Sequence, residues 1–154
     1  MIVGIGCDSV AFELKEYLVA VLEKRGYEIV DMGCYSLDPV DYPDYAYSVA
    51  SSVSEGKFDR GILICGSGQG MGISANKVKG VRAAVCYDVL SAVLSRNHND
   101  ANVLCTGAWM IEPALAERMV VAWLSVGFNG GRHADRVNKI VSIEEGVYLK
   151  GNQN

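Results

Sequence analysis

Short apolar runs alternate with amphipathic stretches along almost the whole chain. Each of five runs typical of a buried strand is followed by a stretch whose apolar residues recur at helical spacing. The connections are long enough for crossovers between parallel strands, so the pattern predicts an α/β fold. We expect a three-layer, Rossmann-like, five-stranded parallel sheet with helices on both faces and the flavodoxin-like strand order 2-1-3-4-5. The five runs are Ile2 to Gly6, Tyr27 to Asp31, Ile62 to Ile64, Val81 to Cys86 and Asn102 to Thr106.

Length and composition favour one domain. The chain has 154 residues, of which 50% are hydrophobic, enough for one core. We therefore predict a single domain over residues 1–146 and a C-terminal tail over residues 147–154. The net charge of −4 gives no electrostatic footprint for nucleic acid or an anionic membrane surface. No signal peptide and no membrane-spanning run is evident, so we expect a cytoplasmic protein.

The cysteines do not form a recognisable framework. There are five, an odd number, and no two form a C-x-x-C pair. Neither a disulfide framework nor a zinc site is indicated, and we expect free thiols in a reducing compartment and no bound metal. The five are Cys7, Cys34, Cys65, Cys86 and Cys105.

The segment from Arg60 to Gly72 is chemically the most distinctive. A buried-strand run ends at Cys65, alternating glycines follow, and a helix is predicted from Gln69 to Val78. A strand, a glycine loop and a helix N-terminus together form an anion site, because backbone N–H groups and the helix dipole favour negative charge there. A thiol at such a loop is expected to have a lowered pKa, which makes Cys65 a candidate base or nucleophile. Alternatively, Cys65 is a small buried hydrophobe and the glycines only permit a sharp turn.

This loop departs from the known nucleotide-binding patterns. Met71 and Ile73 stand where a dinucleotide fingerprint needs glycine, and no Gly-Lys-Ser/Thr follows. Residues 66 to 76 also lack the arginine that a cysteine phosphatase would use, which favours a neutral amide cradle for a developing oxyanion. Ligands of open α/β sheets lie beyond the carboxyl ends of the strands. We therefore expect Cys7 to Ser9, the glycine loop and the segment after strand four to lie together.

Two further polar clusters stand out. His98, one of two histidines, lies in the run from Ser95 to Asn102 and titrates in the range that a proton shuttle needs, although Asn and Asp are also common turn formers. Arg132 and Arg136 are four residues apart at a predicted helix N-terminus. Cations are disfavoured there unless an anion binds, so a phosphate would fit, and surface solvation is the alternative.

Eight segments together resemble the type B ribose-5-phosphate isomerases and the related galactose-6-phosphate isomerases over nearly all of the chain. They are Gly6-Cys-Asp8, Asp41-Tyr-Pro43, Ile64-Cys-Gly-Ser-Gly68, Ala75-Asn-Lys-Val78, Gly80-Val-Arg-Ala83, Ser95-Arg-Asn-His-Asn-Asp100, Asn102-Val-Leu104 and Gly130-Gly-Arg-His133. The resemblance implies a cofactor-free aldose–ketose isomerase of carbohydrate metabolism in the pentose phosphate pathway, with conversion of ribose 5-phosphate to ribulose 5-phosphate as the first expectation. It also implies a homodimer with sites shared between subunits, and leaves open whether dimers pair into tetramers.

The resemblance implies a role for each matching residue. Cys65 matches the base that moves a proton between carbons 1 and 2 of the sugar. His98, helped by Asp8 and Ser67, matches the group that opens the sugar ring. The other matches are substrate contacts: the amides of Gly66, Gly68 and Gly70 for the enediolate, Tyr42 and Asn99 for the sugar, and Arg132 and Arg136 for the phosphate.

Two substrate-binding positions depart from the family pattern. Ser9 stands where the family usually has histidine, and Trp109 stands where an arginine is common. Both family residues touch the polar end of the substrate, so we expect weak handling of ribose 5-phosphate and keep another tetrose, pentose or hexose phosphate as the alternative substrate. Two other function classes stay open at this point: a non-catalytic nucleotide or flavin binder, and a degenerate homologue that retains only the dimer.

Overall fold

A computed structural model describes residues 1–147 of the chain. It contains a five-stranded sheet flanked by six helices, which confirms the predicted fold class. The strands are β1 (Ile2–Cys7), β2 (Glu28–Asp31), β3 (Arg60–Cys65), β4 (Ala83–Val85) and β5 (Val103–Gly107). The helices are α1 (Phe12–Lys24), α2 (Tyr42–Ser54), α3 (Gln69–Ala75), α4 (Val89–Asn99), α5 (Pro113–Ser125) and α6 (Arg132–Glu144). Of the predicted tail, residues 148–154 lie outside the described part of the chain.

All strand pairs are parallel, and the sheet order is β2-β1-β3-β5-β4. The predicted order of the last two strands is therefore wrong: β5 lies beside β3, and β4 forms the edge. Every residue of β5 is buried, whereas β4 has only three residues and each is half-buried. A fully buried strand is best accommodated between two neighbours, and a short strand suits an edge.

The core occupies both faces of the sheet because successive strand residues point to opposite sides. Ile62 and Ile64 of β3 pack with α1 and α5, in a cluster that includes the buried Trp123. Leu63 and Cys65 pack on the other face with α2 and α3. Within residues 1–147, no helix combines the length and the apolarity needed to cross a membrane.

Helix boundaries beside the sheet's carboxyl end differ from the predicted ones by a few residues. A 3-10 turn over Ser9–Ala11 precedes α1, because the Asp8 carboxylate accepts a hydrogen bond from the Ala11 N–H at 3.0 Å. The helix after the glycine loop ends at Ala75 rather than Val78. The hydrogen bond from Ala11 at the start of the 3-10 turn fixes the position of the Asp8 carboxylate.

Candidate active site

The glycine loop begins where β3 ends, at Cys65. The Gly68 N–H donates to the Cys65 Sγ at 3.0 Å, which orients the sulfur towards the loop. Gly68 has φ +83°, in the left-handed region that favours glycine, and a Cβ there would lie 2.8 Å from the backbone of Thr106. The tight loop that brings the amide to the thiol therefore requires glycine at this position.

Asp8 joins the loop after β1 to the glycine loop. Its own N–H donates to the Ile64 carbonyl oxygen at 3.1 Å, and its carboxylate accepts from backbone N–H groups, including that of Gly66. Burial raises the pKa of the Asp8 carboxyl, and the N–H donors of Ala11, Gly66 and Val10 offset only part of this rise. Asp8 thus keeps its proton to a higher pH than an ordinary aspartate, close to Cys65.

Tyr87 follows β4 and binds the same loop. Its hydroxyl donates to the Ser67 carbonyl oxygen at 2.7 Å and accepts from the Gln69 side-chain amide at 2.8 Å. The Ser67 hydroxyl in turn accepts from the Gln69 N–H at 3.3 Å. The segment after strand four was expected here, but Tyr87 itself was not identified from the sequence. The available signal was a tyrosine two residues beyond the carboxyl end of a strand.

Two aromatic rings lie against the glycine loop. A Cβ at Gly66 would lie 2.6 Å from the indole of Trp109, and a Cβ at Gly70 would lie 2.6 Å from the ring of Tyr42. Each ring can approach so closely only because its neighbour is glycine. Trp109 reaches the loop because β5, rather than β4, lies beside β3.

The backbone holds Trp109 in place while most of its side chain faces solvent. Its N–H donates to the Gly66 carbonyl oxygen at 3.0 Å, and the preceding Ala108 N–H donates to the Cys65 carbonyl oxygen at 2.8 Å. The Trp109 side chain is nevertheless 74% exposed. A cavity of about 220 Å³ lies between this loop and the start of α1, lined in part by Val10, Glu13 and Trp109. Ser9 precedes Val10 in the 3-10 turn at this place.

His98 and Asn99 lie at the opposite edge of the sheet. They occupy the last turn of α4, which has 11 residues and runs back from the carboxyl end of β4 over about 16 Å. The Asn99 carbonyl oxygen accepts from the Arg82 Nε at 3.2 Å, and Arg82 directly precedes β4. Asp100, in the left-handed conformation, accepts from Arg82 at 2.9 Å and from Arg96 at 2.8 Å. These contacts fix the end of α4 at the amino ends of β4 and β5.

Asn97 attaches the start of α6 to the end of α4. Its side-chain amide donates to the Gly127 carbonyl oxygen at 2.7 Å, and its carbonyl oxygen accepts from the Asn129 N–H at 3.0 Å. Arg132 and Arg136 are both exposed at this start of α6, and within residues 1–147 neither forms a salt bridge to a carboxylate. The Arg136 guanidinium donates to the Arg132 carbonyl oxygen at 2.8 Å. Two guanidinium groups on one helix face, without a carboxylate partner among the described residues, offer a site for an anion.

The predicted site residues therefore form two groups. One lies at the carboxyl ends of the strands, here called the carboxyl edge, and the other lies at their amino ends, here called the amino edge. β3, with six residues, spans roughly 20 Å between these edges. One copy of the chain does not bring Cys65 and His98 together. The carboxyl-edge group is Asp8, Ser9, Tyr42, Cys65, Gly66, Ser67, Gly68, Gly70 and Trp109. The amino-edge group is His98, Asn99, Arg132 and Arg136.

Comparison with known proteins identifies relatives along most of the sequence. The profile of the Ribose/Galactose Isomerase family matches residues 3–140. The ribose-5-phosphate isomerase B of Escherichia coli (strain K12) is 49% identical over 143 residues, which cover 93% of this chain and 96% of the relative. The D-erythrulose-4-phosphate isomerase of Pectobacterium atrosepticum is 45% identical over 142 residues, covering 90% of this chain and 91% of the relative.

Solved structures agree with the sequence matches. The ribose-5-phosphate isomerase B of Clostridium thermocellum superposes with a TM-score of 0.94 at 49% identity, covering 95% of this chain and 99% of the other. The ribose-5-phosphate isomerase B of Mycoplasma genitalium with bound ribulose-5-phosphate superposes with a TM-score of 0.91 at 38% identity, covering 94% and 96% of the two chains. From these matches in sequence and in structure, the chain belongs to the ribose/galactose isomerase family and is a sugar-phosphate isomerase, an enzyme that interconverts aldoses and ketoses.

Proposed function

We propose that this enzyme interconverts ribose 5-phosphate and ribulose 5-phosphate by moving a proton between carbons 1 and 2. The observation that carries the proposal is that Cys65, at the end of β3, and Asp8, in the loop after β1, both accept hydrogen bonds from backbone N–H groups of the glycine loop. The E. coli relative, a ribose-5-phosphate isomerase B, supports this substrate, as does the M. genitalium structure with bound ribulose-5-phosphate.

In this scheme the Cys65 thiolate is the base. It takes the proton from carbon 2 of the open-chain aldose and returns it to carbon 1, while the hydroxyl proton moves from oxygen 2 to oxygen 1, so no net proton is consumed. The enediolate formed between these steps carries negative charge on oxygen, which must meet preorganised donors. In the proposal the amides of Gly66, Gly68 and Gly70 supply such donors, and those of Gly66 and Gly68 exchange their hydrogen bonds to Asp8 and Cys65 for bonds to the enediolate oxygens. One donor of this kind contributes on the order of 3 kcal/mol.

Ring opening precedes the proton transfer, because a cyclic sugar has no free carbonyl group. We assign this step to His98, with Asp8 and Ser67 completing the hydrogen-bond path to the ring oxygen and the anomeric hydroxyl. Burial raises the pKa of the Asp8 carboxyl above that of an ordinary aspartate, as is common for groups that take part in proton transfer. His98 must come from a second copy of the chain, since it lies at the other edge of the sheet.

We infer a homodimer in which the carboxyl-edge group of one copy meets the amino-edge group of the other. A two-fold axis would build two equivalent sites from one type of contact. A groove of about 690 Å³ beside Asn99 supports this assembly. Ile140 and Ile143 line the groove and are 43% and 60% exposed, so an apolar surface adjoins the part of the site that needs a partner. Arg132 and Arg136 of the second copy would then bind the phosphate.

The test is turnover of a panel of aldose phosphates by the purified protein, with D₂O as solvent in a parallel reaction. We expect conversion of ribose 5-phosphate to ribulose 5-phosphate, and deuterium at the carbon that receives the proton. Absence of turnover with every sugar phosphate would contradict the proposal. An absorbance spectrum of the same sample checks for bound flavin, the signature of the competing binder.

A second candidate substrate is a tetrose phosphate. The Trp109 indole lies over Gly66, where the family commonly has an arginine, and so narrows the space beside the proposed enediolate site. The Pectobacterium relative is a D-erythrulose-4-phosphate isomerase, at 45% identity. Under this alternative, kcat/KM for erythrose 4-phosphate exceeds that for ribose 5-phosphate in the same panel.

A further inference from the structure

The chain has only two histidines, and their rings stack on each other. The ring centroids of His98 and His133 are 4.2 Å apart, and the ring planes differ by 4°. His98 comes from the last turn of α4 and His133 from the first turn of α6. The two hydrogen bonds of Asn97 join the end of α4 to Gly127 and Asn129, in the segment that leads into α6, so the stack lies at a fixed junction.

The surroundings of His133 favour its neutral form. Partial burial lowers the pKa of His133, and the positive charges of His98, Arg132 and Arg136 lower it further. The residue also lies at the N-terminal end of a 13-residue helix, where the dipole opposes a cation. At neutral pH the His133 ring is therefore an uncharged aromatic surface.

The stacked geometry does not suit a proton relay between the two rings. The nitrogen lone pairs and N–H bonds of an imidazole lie in its ring plane. In a parallel stack the two rings meet through their faces, so no N–H of one ring points at a nitrogen of the other. The contact therefore restricts where the His98 ring can lie and leaves its edge, which carries both nitrogens, available to other groups.

We propose that His133 is a positioning residue that backs the His98 ring and fixes its plane, so that the His98 nitrogens face the sugar in the site shared with the second copy. This inference rests on the ring-opening role proposed for His98. Proton transfer depends steeply on orientation, and a displacement of about 1 Å in a reacting group can reduce a rate by on the order of a hundredfold. A ring without a backing surface would sample several rotamers at the protein surface.

The test compares His133→Ala with His133→Phe on two substrates. Phenylalanine keeps a flat ring for stacking but has no nitrogen, whereas alanine removes the ring. We expect His133→Ala to lower kcat for ribose 5-phosphate on the order of tenfold with a smaller change in KM, and His133→Phe to recover most of this loss. On erythrose 4-phosphate, which is too short to close a ring, both variants should stay within about twofold of the wild type.

Two kinetic outcomes would overturn the inference. If His133→Phe is as impaired as His133→Ala, a ring nitrogen of His133 is needed and the stack is not the function. If His133→Ala lowers kcat by the same factor on both substrates, the residue supports the fold of the site as a whole and does not act through ring opening. His98→Asn, measured on the same pair, tests the underlying role separately: equal losses there refute the role of His98 itself.

A spectroscopic measurement tests the stack without any substrate. Because the chain has two histidines, the imidazole proton signals are assigned by the variant that lacks one ring. We expect the His98 ring protons to show the upfield shift of a stacked neighbour in the wild type and in His133→Phe, and to lose it in His133→Ala. Unchanged His98 signals in His133→Ala would show that His133 does not hold the ring.

Discussion

The two edges of the sheet hold their residues in different ways. At the carboxyl edge, Cys65 is 5% exposed, and backbone hydrogen bonds fix the loops around it. At the amino edge, side chains make the main contacts, and Arg132 and Arg136 face solvent. Proton transfer to carbon requires a base held in one position, whereas phosphate binding needs only accessible cations. In the proposed dimer, each copy would therefore contribute a rigid half-site that carries Cys65 and a more open half-site that carries the phosphate-binding arginines.

The largest effect is expected at the carboxyl edge. Cys65→Ala should lower kcat on the order of 10³-fold, because it removes the proposed base, with little change in the thermal unfolding midpoint. Iodoacetamide should inactivate the wild type, and substrate should protect it. Cys86→Ala is the matched control: burial raises the pKa of the Cys86 thiol, and its loss should leave turnover near the wild-type value. Wild-type turnover by Cys65→Ala would refute the assignment.

Mixed dimers test whether the two edges meet between copies. Co-expression of Cys65→Ala with a chain carrying His98→Asn and Arg132→Ala should restore about one quarter of wild-type activity. Half of the dimers are then hybrids, and each hybrid has one intact site of two. The activity is measured after purification through one tag common to both chains, which recovers hybrids and homodimers alike. The control pairs Cys65→Ala with Asp8→Ala, two changes at the same edge, and should show no recovery of activity. If the first pair shows no recovery either, the two copies do not share their sites.

The next effect separates ring opening from proton transfer. His98→Asn should lower kcat/KM for ribose 5-phosphate by about a hundredfold, because the cyclic substrate needs a proton shuttle before the base can act. The loss on erythrose 4-phosphate should be only a few-fold. The measurement is kcat/KM on both substrates at one pH, and losses of the same size on both would show that His98 acts in another step.

The smallest effect concerns substrate preference. Ser9→His combined with Trp109→Arg should lower KM for ribose 5-phosphate by about tenfold, because the pair introduces two donors for the polar end of the substrate. The check is kcat/KM for ribose 5-phosphate and for a panel of other sugar phosphates, before and after the change. A wild type already as efficient with ribose 5-phosphate as with every other member, together with an unimproved variant, would show that these positions do not set specificity.

Local patterns predicted most of the fold and the position of the glycine loop. The alternation of apolar runs and helical stretches was enough for the parallel sheet, and the glycine spacing located the loop after β3. The order of neighbouring strands was harder to predict. A short strand such as Ala83–Val85 has the same local sequence pattern whether it lies at the edge of the sheet or in its interior. The predicted order of β4 and β5 was therefore wrong, and the approach of Trp109 to Gly66 was not predicted.

The separation of the two groups depends on tertiary structure that the sequence pattern does not encode. His98 was identified by its chemistry, but its distance from Cys65 depends on the direction in which α4 crosses the sheet. The stack of His98 on His133 likewise requires the junction that Asn97 closes. Residues 35 positions apart gave no local signal of this contact. The hypothesis that two subunits share the site came only from the resemblance to a family.

The loop after β5 shows how a family can change its substrates through single residues. The backbone of Trp109 is fixed to Gly66 by its N–H, while the indole is 74% exposed and contributes little to the core. Replacement of the side chain therefore leaves the hydrogen bonds of the loop unchanged, and the folded state loses little stability. Mutations at this position therefore cost the fold little stability, and in the proposed site they act directly on the contact with the sugar. Selection for a new sugar can thus act here without a compensating change elsewhere.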